Sequence, residues 1–153
     1  MATYRQAEEH FAAADRKGLL KPAGHVHWRD ANIDVAFVYI ATHQLEAANR
    51  CLVRVLSWPS LLSLDRLTAL LGMAAYHKAR QKWVNMTEDL KATFPLIQEL
   101  EKRSDMEPMK VRVFLLLAEA AEGQGDMRLA HEYGNKAKAI SSGFDKNLYN
   151  PEL

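Results

Sequence analysis

Residues 125–140, Gly-Asp-Met-Arg-Leu-Ala-His-Glu-Tyr-Gly-Asn-Lys-Ala-Lys-Ala-Ile, constrain this chain more than any other stretch. The stretch opens with a glycine that stops one helix and an aspartate that starts the next, Gly125-Asp126. Small residues then recur at Ala130, Gly134 and Ala137, the i, i+4, i+7 spacing of one helix face. A face of small residues does not fill a core by bulk; it lets another helix backbone come close. The same device occurs elsewhere in the chain, which makes it the unit of a repeat and not a local accident.

A length of 153 residues fits one domain, and 48% hydrophobic residues suffice for a core. Lys+Arg (20) and Asp+Glu (19) nearly balance, which argues against a general nucleic-acid binder. The single cysteine, Cys51, excludes an internal disulfide and sits among helix-periodic apolar residues, as a small buried hydrophobe would. The longest apolar run, Val35–Ala41, falls far short of the ~20 residues of a membrane span. The N-terminal stretch carries Glu8, Glu9 and Asp15 and no apolar h-region, so a secretory signal is not expected there. The expectation is a soluble, cytoplasmic protein. Hairpin dipeptides and long polar/apolar alternation are missing, so strands are not expected.

Periodicity predicts helices in order. The first covers residues 3–19, with Ala7, Phe11 and Ala14 on one face. A loop over 20–29 carries Pro22, Gly24, His25, His27 and Trp28. Helices follow over about 30–42 (Ile33, Ala36, Phe37, Ile40, Ala41) and 45–57 (Ala48, Leu52, Val55), closed by Pro59. The stripe Leu67, Leu70, Leu71, Ala74, Ala75 predicts a helix over 61–80, with Gly72 as a small contact point. The next starts near 82 with Trp83, Met86 and Leu90 and runs to about 102; Pro95 should kink or divide it. Asp105 and Pro108 start a helix over 108–123 with Val111, Phe114, Leu117, Ala118 and Ala121 on its face. Asp126 caps the last, over 127–142, and 143–153 reads as a tail, either a frayed end or a linker.

Helix pairs that recur along a chain bury their faces by stacking into a solenoid. Gly125-Asp126 with Ala130, Gly134 and Ala137, preceded by Phe114, Leu117, Ala118 and Ala121, resembles a tetratricopeptide repeat. The unit at 29–59 is similar, through Val35-Ala36, Tyr39, Ala48, Leu52, Val55 and Trp58-Pro59. The unit at 65–94 resembles it through Leu71-Gly72 and, more loosely, Met86, Leu90 and Phe94. Ala7, Ala48, Met86 and Ala130 correspond, at intervals of 41, 38 and 44 residues, longer than the usual period of about 34. An unrelated helical array is the alternative. The fold expected is all-α: a right-handed α-solenoid of about seven helices, with a helix at 3–19 and pairs over 30–57, 61–102 and 108–142 in one domain, 1–142.

Catalytic motifs are missing from the sequence. His131-Glu132 begins like a zinc-hydrolase helix, but the second ligand position is Asn135. His25 and His27 lack further ligands at metal spacing. There is no phosphate loop, nucleophile elbow or Cys-x-x-Cys. No catalytic residue, metal or cofactor is therefore expected, and the balanced charge and apolar lining disfavour RNA reading.

Protein recognition is what remains. The resemblance implies that first helices line a concave groove. That places Asp30, Ile33, Phe37 and Ile40 there from one unit, Arg66, Ala69, Met73, Tyr76 and His77 from the next, and Arg112, Leu115, Glu119 and Glu122 from the last. A peptide or helix with apolar anchors suits such a lining, in an adaptor, scaffold or chaperone-like role. The carboxylate clamp of chaperone-binding members of the family is not evident. The half-repeat at 3–19 has an unpartnered face, to be covered by packing as an N-terminal cap on the 30–57 pair, by another copy in a homodimer with Tyr4 and Phe11 as contacts, or by the missing half of a longer parent chain. A regulatory or sensory helical module with a small-molecule pocket at Trp83, Tyr76 and Met73 is the second functional reading.

Overall fold

A computed structural model of the protein describes the backbone of residues 22–148, the side chains of 29–143 and, before them, Gln6 alone. Among these residues the chain is all-helical, with no strand. The elements are α1 (Pro22–Ala41), α2 (Leu45–Leu56), α3 (Ser63–Ala79), α4 (Trp83–Ala92), α5 (Phe94–Leu100), α6 (Glu107–Gly123) and α7 (Met127–Leu148). None of these helices is long and apolar enough to cross a membrane. The helix predicted over 3–19, the side chains of His25, His27 and Trp28, and the final residues 149–153 lie outside the described residues.

Three connections, at 42–44, 80–82 and 124–126, close in the same way. Their middle residues are left-handed: His43 at φ 57°, Gln81 at φ 55° and Gly125 at φ 78°. In each, the N–H of the third residue donates to the carbonyl five residues back: Gln44 to Tyr39 (2.8 Å), Lys82 to His77 (2.9 Å) and Asp126 to Ala121 (2.9 Å). This six-to-one bond closes a Schellman turn and satisfies a carbonyl that the helix end would leave open. The left-handed residues stand 38 (43 to 81) and 44 (81 to 125) apart, the intervals predicted from Ala48, Met86 and Ala130. The third turn is reinforced by Asp126, whose Oδ1 accepts the N–H of Leu129 at 2.9 Å.

Helices joined by these turns pack on each other: α1 on α2, α3 on α4, α6 on α7. α3 also packs on both α1 and α2, and α6 on α4. α3 serves two cores. Ala69 and Tyr76 join Ile33, Ala36, Tyr39, Ala48, Cys51, Leu52 and Val55. Leu67, Leu71 and Ala74 join Met86, Leu90, Ile97, Met106, Val113, Leu117 and Ala120. Burying a side chain such as Leu52 or Leu90, both fully enclosed, stabilises by about 1.5–3 kcal/mol. Gly72 is the contact point expected of it: a Cβ there would stand 2.7 Å from Cδ2 of Leu52.

Proline and glycine account for most boundary differences. Residues 22–29 are helical, not part of a loop, and Pro22 is the first described residue of that helix. Pro95 divides its helix as expected. The break falls at Thr93, whose hydroxyl donates to the Leu90 carbonyl at 2.6 Å, and Pro95 then sits in the first turn of α5. Gly143 does not end α7, which continues to Leu148 instead of giving way to a tail. In α6 the buried stripe is Val113, Leu117, Ala120 and Ala121, displaced from the predicted Val111, Phe114, Leu117, Ala118 and Ala121. The cause is packing on both α4 and α7. Phe114 lies between Phe94 (centroids 5.4 Å apart) and Tyr133 (6.2 Å) instead of in the deepest layer.

Candidate functional site

An open groove of about 640 Å³ runs between α6 and α7. Ala118, Ala130 and Gly134 are its small lining residues, Leu115 and Met127 its large apolar ones. Glu119, Glu122, His131 and Asn135 supply the polar lining. Leu115 is 54% exposed and Met127 63%. Exposed single apolar residues are ordinary; here two of them, Leu115 and Met127, stand along one groove.

Counting from the left-handed turn residues shows what this surface is. Ten positions before each turn stand Ile33, Leu71 and Leu115; seven before stand Ala36, Ala74 and Ala118. Five after come Ala48, Met86 and Ala130; nine after come Leu52, Leu90 and Gly134. Ile33 and Leu71 are buried where Leu115 is open, and Leu52 and Leu90 are enclosed where Gly134 stands. The first surface is covered by α3, which packs on α1 and α2. The second receives α6, which packs on α4 and is tied to α3 by a Lys78–Glu119 ion pair at 2.7 Å. Among the described helices, α7 packs substantially only on α6, so none of them packs over the third surface. A Cβ built on Gly134 meets nothing within 4 Å.

The residues predicted to line a groove are placed unevenly. Leu115, Glu119 and Glu122 come together in the α6–α7 groove. Phe37, Ile40 and Met73 are half-buried and pack against the α1–α3 core. Tyr76 is buried within that core, its hydroxyl accepting from Arg80 at 2.7 Å. Asp30 and Arg112 are exposed and Arg66 is half-buried. Trp83 packs against the other core, whereas Met73 and Tyr76 belong to the first.

His77 pairs with Asp89 of α4, Nδ1 to Oδ2 at 2.6 Å, and its ring lies 5.1 Å from that of Tyr76. Burial pushes the Asp89 carboxyl up; the hydrogen bond and charge of His77 pull it down less strongly, and Glu88 adds a further upward push. The pair clamps α3 to α4. Arg29, buried, and Asp65, half-buried, form a second ion pair at 3.5 Å between α1 and α3. Desolvation raises the Asp65 carboxyl, outweighing Arg29, which lowers it, and Asp30 raises it further. Among the described residues no group of three or more His, Cys, Asp or Glu is placed to hold a metal ion.

Met127, His131 and Asn135 are groove residues that periodicity alone does not identify. One sequence signal does point to them: the ninth position after the turn is Leu, Leu, then Gly, at Leu52, Leu90 and Gly134. No family model, curated protein or solved structure matches the chain.

Proposed function

We propose that this protein is a non-catalytic protein-interaction module. In this reading it is a right-handed solenoid of antiparallel helix pairs, similar to tetratricopeptide repeats, and binds a peptide or helix of a partner protein. Support for the array comes from the turn that recurs three times with matching hydrogen bonds. One observation carries the function: Leu115 and Met127 lie open along a groove at turn-relative positions where Ile33 and Leu71, and the half-buried Leu45 and Trp83, are covered. Covering those apolar groups by a partner supplies the driving force for association. Leu115, Glu119 and Glu122, of the first-helix residues, belong to this surface. The buried Tyr76 serves as core.

Affinity capture from native extract tests the reading, with Leu115→Lys/Met127→Lys as the control variant. The expected result is a stoichiometric partner held by the native chain and lost by the folded variant. Recovery of self-copies only would favour the self-association reading. No partner of either kind would overturn the module.

A further inference from the structure

The α6–α7 groove has a shape that specifies its occupant. In the first interface of this chain, Leu52 of α2 enters a notch in α3 made by Gly72; a Cβ at 72 would stand 2.7 Å from Cδ2 of Leu52. The knob comes from the surface and the notch from the covering helix. At the third surface the position of Leu52 is occupied by Gly134, and the space above it is open. Knob and notch are therefore exchanged, and whatever covers this groove must bring the large side chain itself.

Charge narrows the choice. Glu119 and Glu122 both line the groove, with Glu119 engaged by Lys78 and Glu122 exposed. A covering helix that brings a carboxylate there is repelled, and one that brings Lys or Arg is favoured. This bears on a second copy of the chain as occupant. The position of Gly72, nine before its turn, is Asp34 in α1. Docking α1 of another copy head-to-tail would set a carboxylate opposite Gly134 in an acidic groove.

We infer that the α6–α7 groove receives one amphipathic helix of a partner protein, which places a large apolar side chain over Gly134 and a basic residue beside Glu122. The inference rests on the protein-binding reading above and adds the chemistry of the partner. A helix is the element expected because the corresponding surface of α1 and α2 is covered by a helix, α3.

The test uses two labelled peptides copying residues 62–79, the helix that fills the first surface. One has the native Gly72, and the other carries Gly72→Leu. Each is titrated by fluorescence anisotropy with the full chain and with its Gly134→Leu variant, whose folding is checked by circular dichroism. The native chain is expected to prefer the Gly72→Leu peptide by at least about tenfold, the worth of burying one large aliphatic side chain. Gly134→Leu should abolish or reverse that preference. Equal binding of both peptides to both proteins, or binding of neither to the native chain, overturns the inference. A self-associated native chain that becomes monomeric on Gly134→Leu also overturns it, by making a second copy the occupant. If capture of a partner from extract survives Gly134→Leu, the groove inference fails while the protein-binding reading stands.

Discussion

The indole of Trp83 lies against Gly123 so closely that a Cβ there would stand 2.3 Å from Cδ2 and 2.4 Å from Cε2. These are rigid ring atoms at the α4–α6 contact, so the ring cannot yield by a rotation at its tip. Gly123→Ala gains about 1 kcal/mol of helix propensity at most but incurs overpacking of about 1–3 kcal/mol. Net destabilisation is expected in urea unfolding, with recovery in Trp83→Leu/Gly123→Ala. A Gly123→Ala variant as stable as the native chain would refute the contact.

The three turns predict opposite effects for glycine. Gly125 is left-handed with open space around it, so Gly125→Ala should cost about 1 kcal/mol through backbone strain alone. His43 and Gln81 hold the same conformation without the freedom of glycine. His43→Gly and Gln81→Gly should each stabilise by up to about 1 kcal/mol. Denaturation midpoints measure both, and losses at 43 and 81 would contradict the shared turn geometry.

Asp89 predicts a pH dependence. Burial is the largest influence on its carboxyl and holds it above the ordinary value of 3.8. The folded state therefore binds this proton more tightly than the unfolded chain does. The resulting stability is fully present below the ordinary carboxylate value and is lost as pH rises through the raised one. Relative to Asp89→Asn, the native chain should thus gain stability as pH falls through the acid range. Urea unfolding at several pH values gives the difference directly, and a slope of the opposite sign would show that the bond to His77 outweighs burial.

Exposure separates two kinds of apolar residue near the first-helix faces. Phe37 and Met73 pack half-buried on a core, so Phe37→Ala and Met73→Ala should each lower stability by about 1–3 kcal/mol. Leu115 and Met127 are open, and alanine there should stay within about 0.5 kcal/mol of the native chain while weakening partner binding. Thermal melts beside binding curves distinguish the sets. A large stability loss at Leu115 would make the groove part of the core.

Much of the helical order was legible because turn chemistry is local. Gly125-Asp126 and Pro95 act within a few residues of themselves, and the 38- and 44-residue intervals between Ala48, Met86 and Ala130 recur between the turn residues His43, Gln81 and Gly125. Pro22 lies in a helix and not in the loop expected over 20–29, since a proline by itself does not mark a loop. Gly143 does not stop α7 for a related reason: glycine weakens a helix without obliging it to end. The α6 stripe was displaced because a helix covered from two sides has no single buried face for periodicity to detect. The site was harder still. Tyr76 and Leu115 are both apolar residues of first helices, yet one is enclosed and the other open. What decides is whether a further helix lies on top, and composition does not record that.

The central claim is that α6 and α7 form the docking surface. Its most direct test is an amide-resolved NMR titration of the full chain with the Gly72→Leu peptide of residues 62–79. The account predicts saturable shifts at Leu115, Ala118, Met127, Ala130 and Gly134, with α1 and α2 unmoved. Shifts centred on Asp30, Phe37 and Arg66, or none at all, would contradict it.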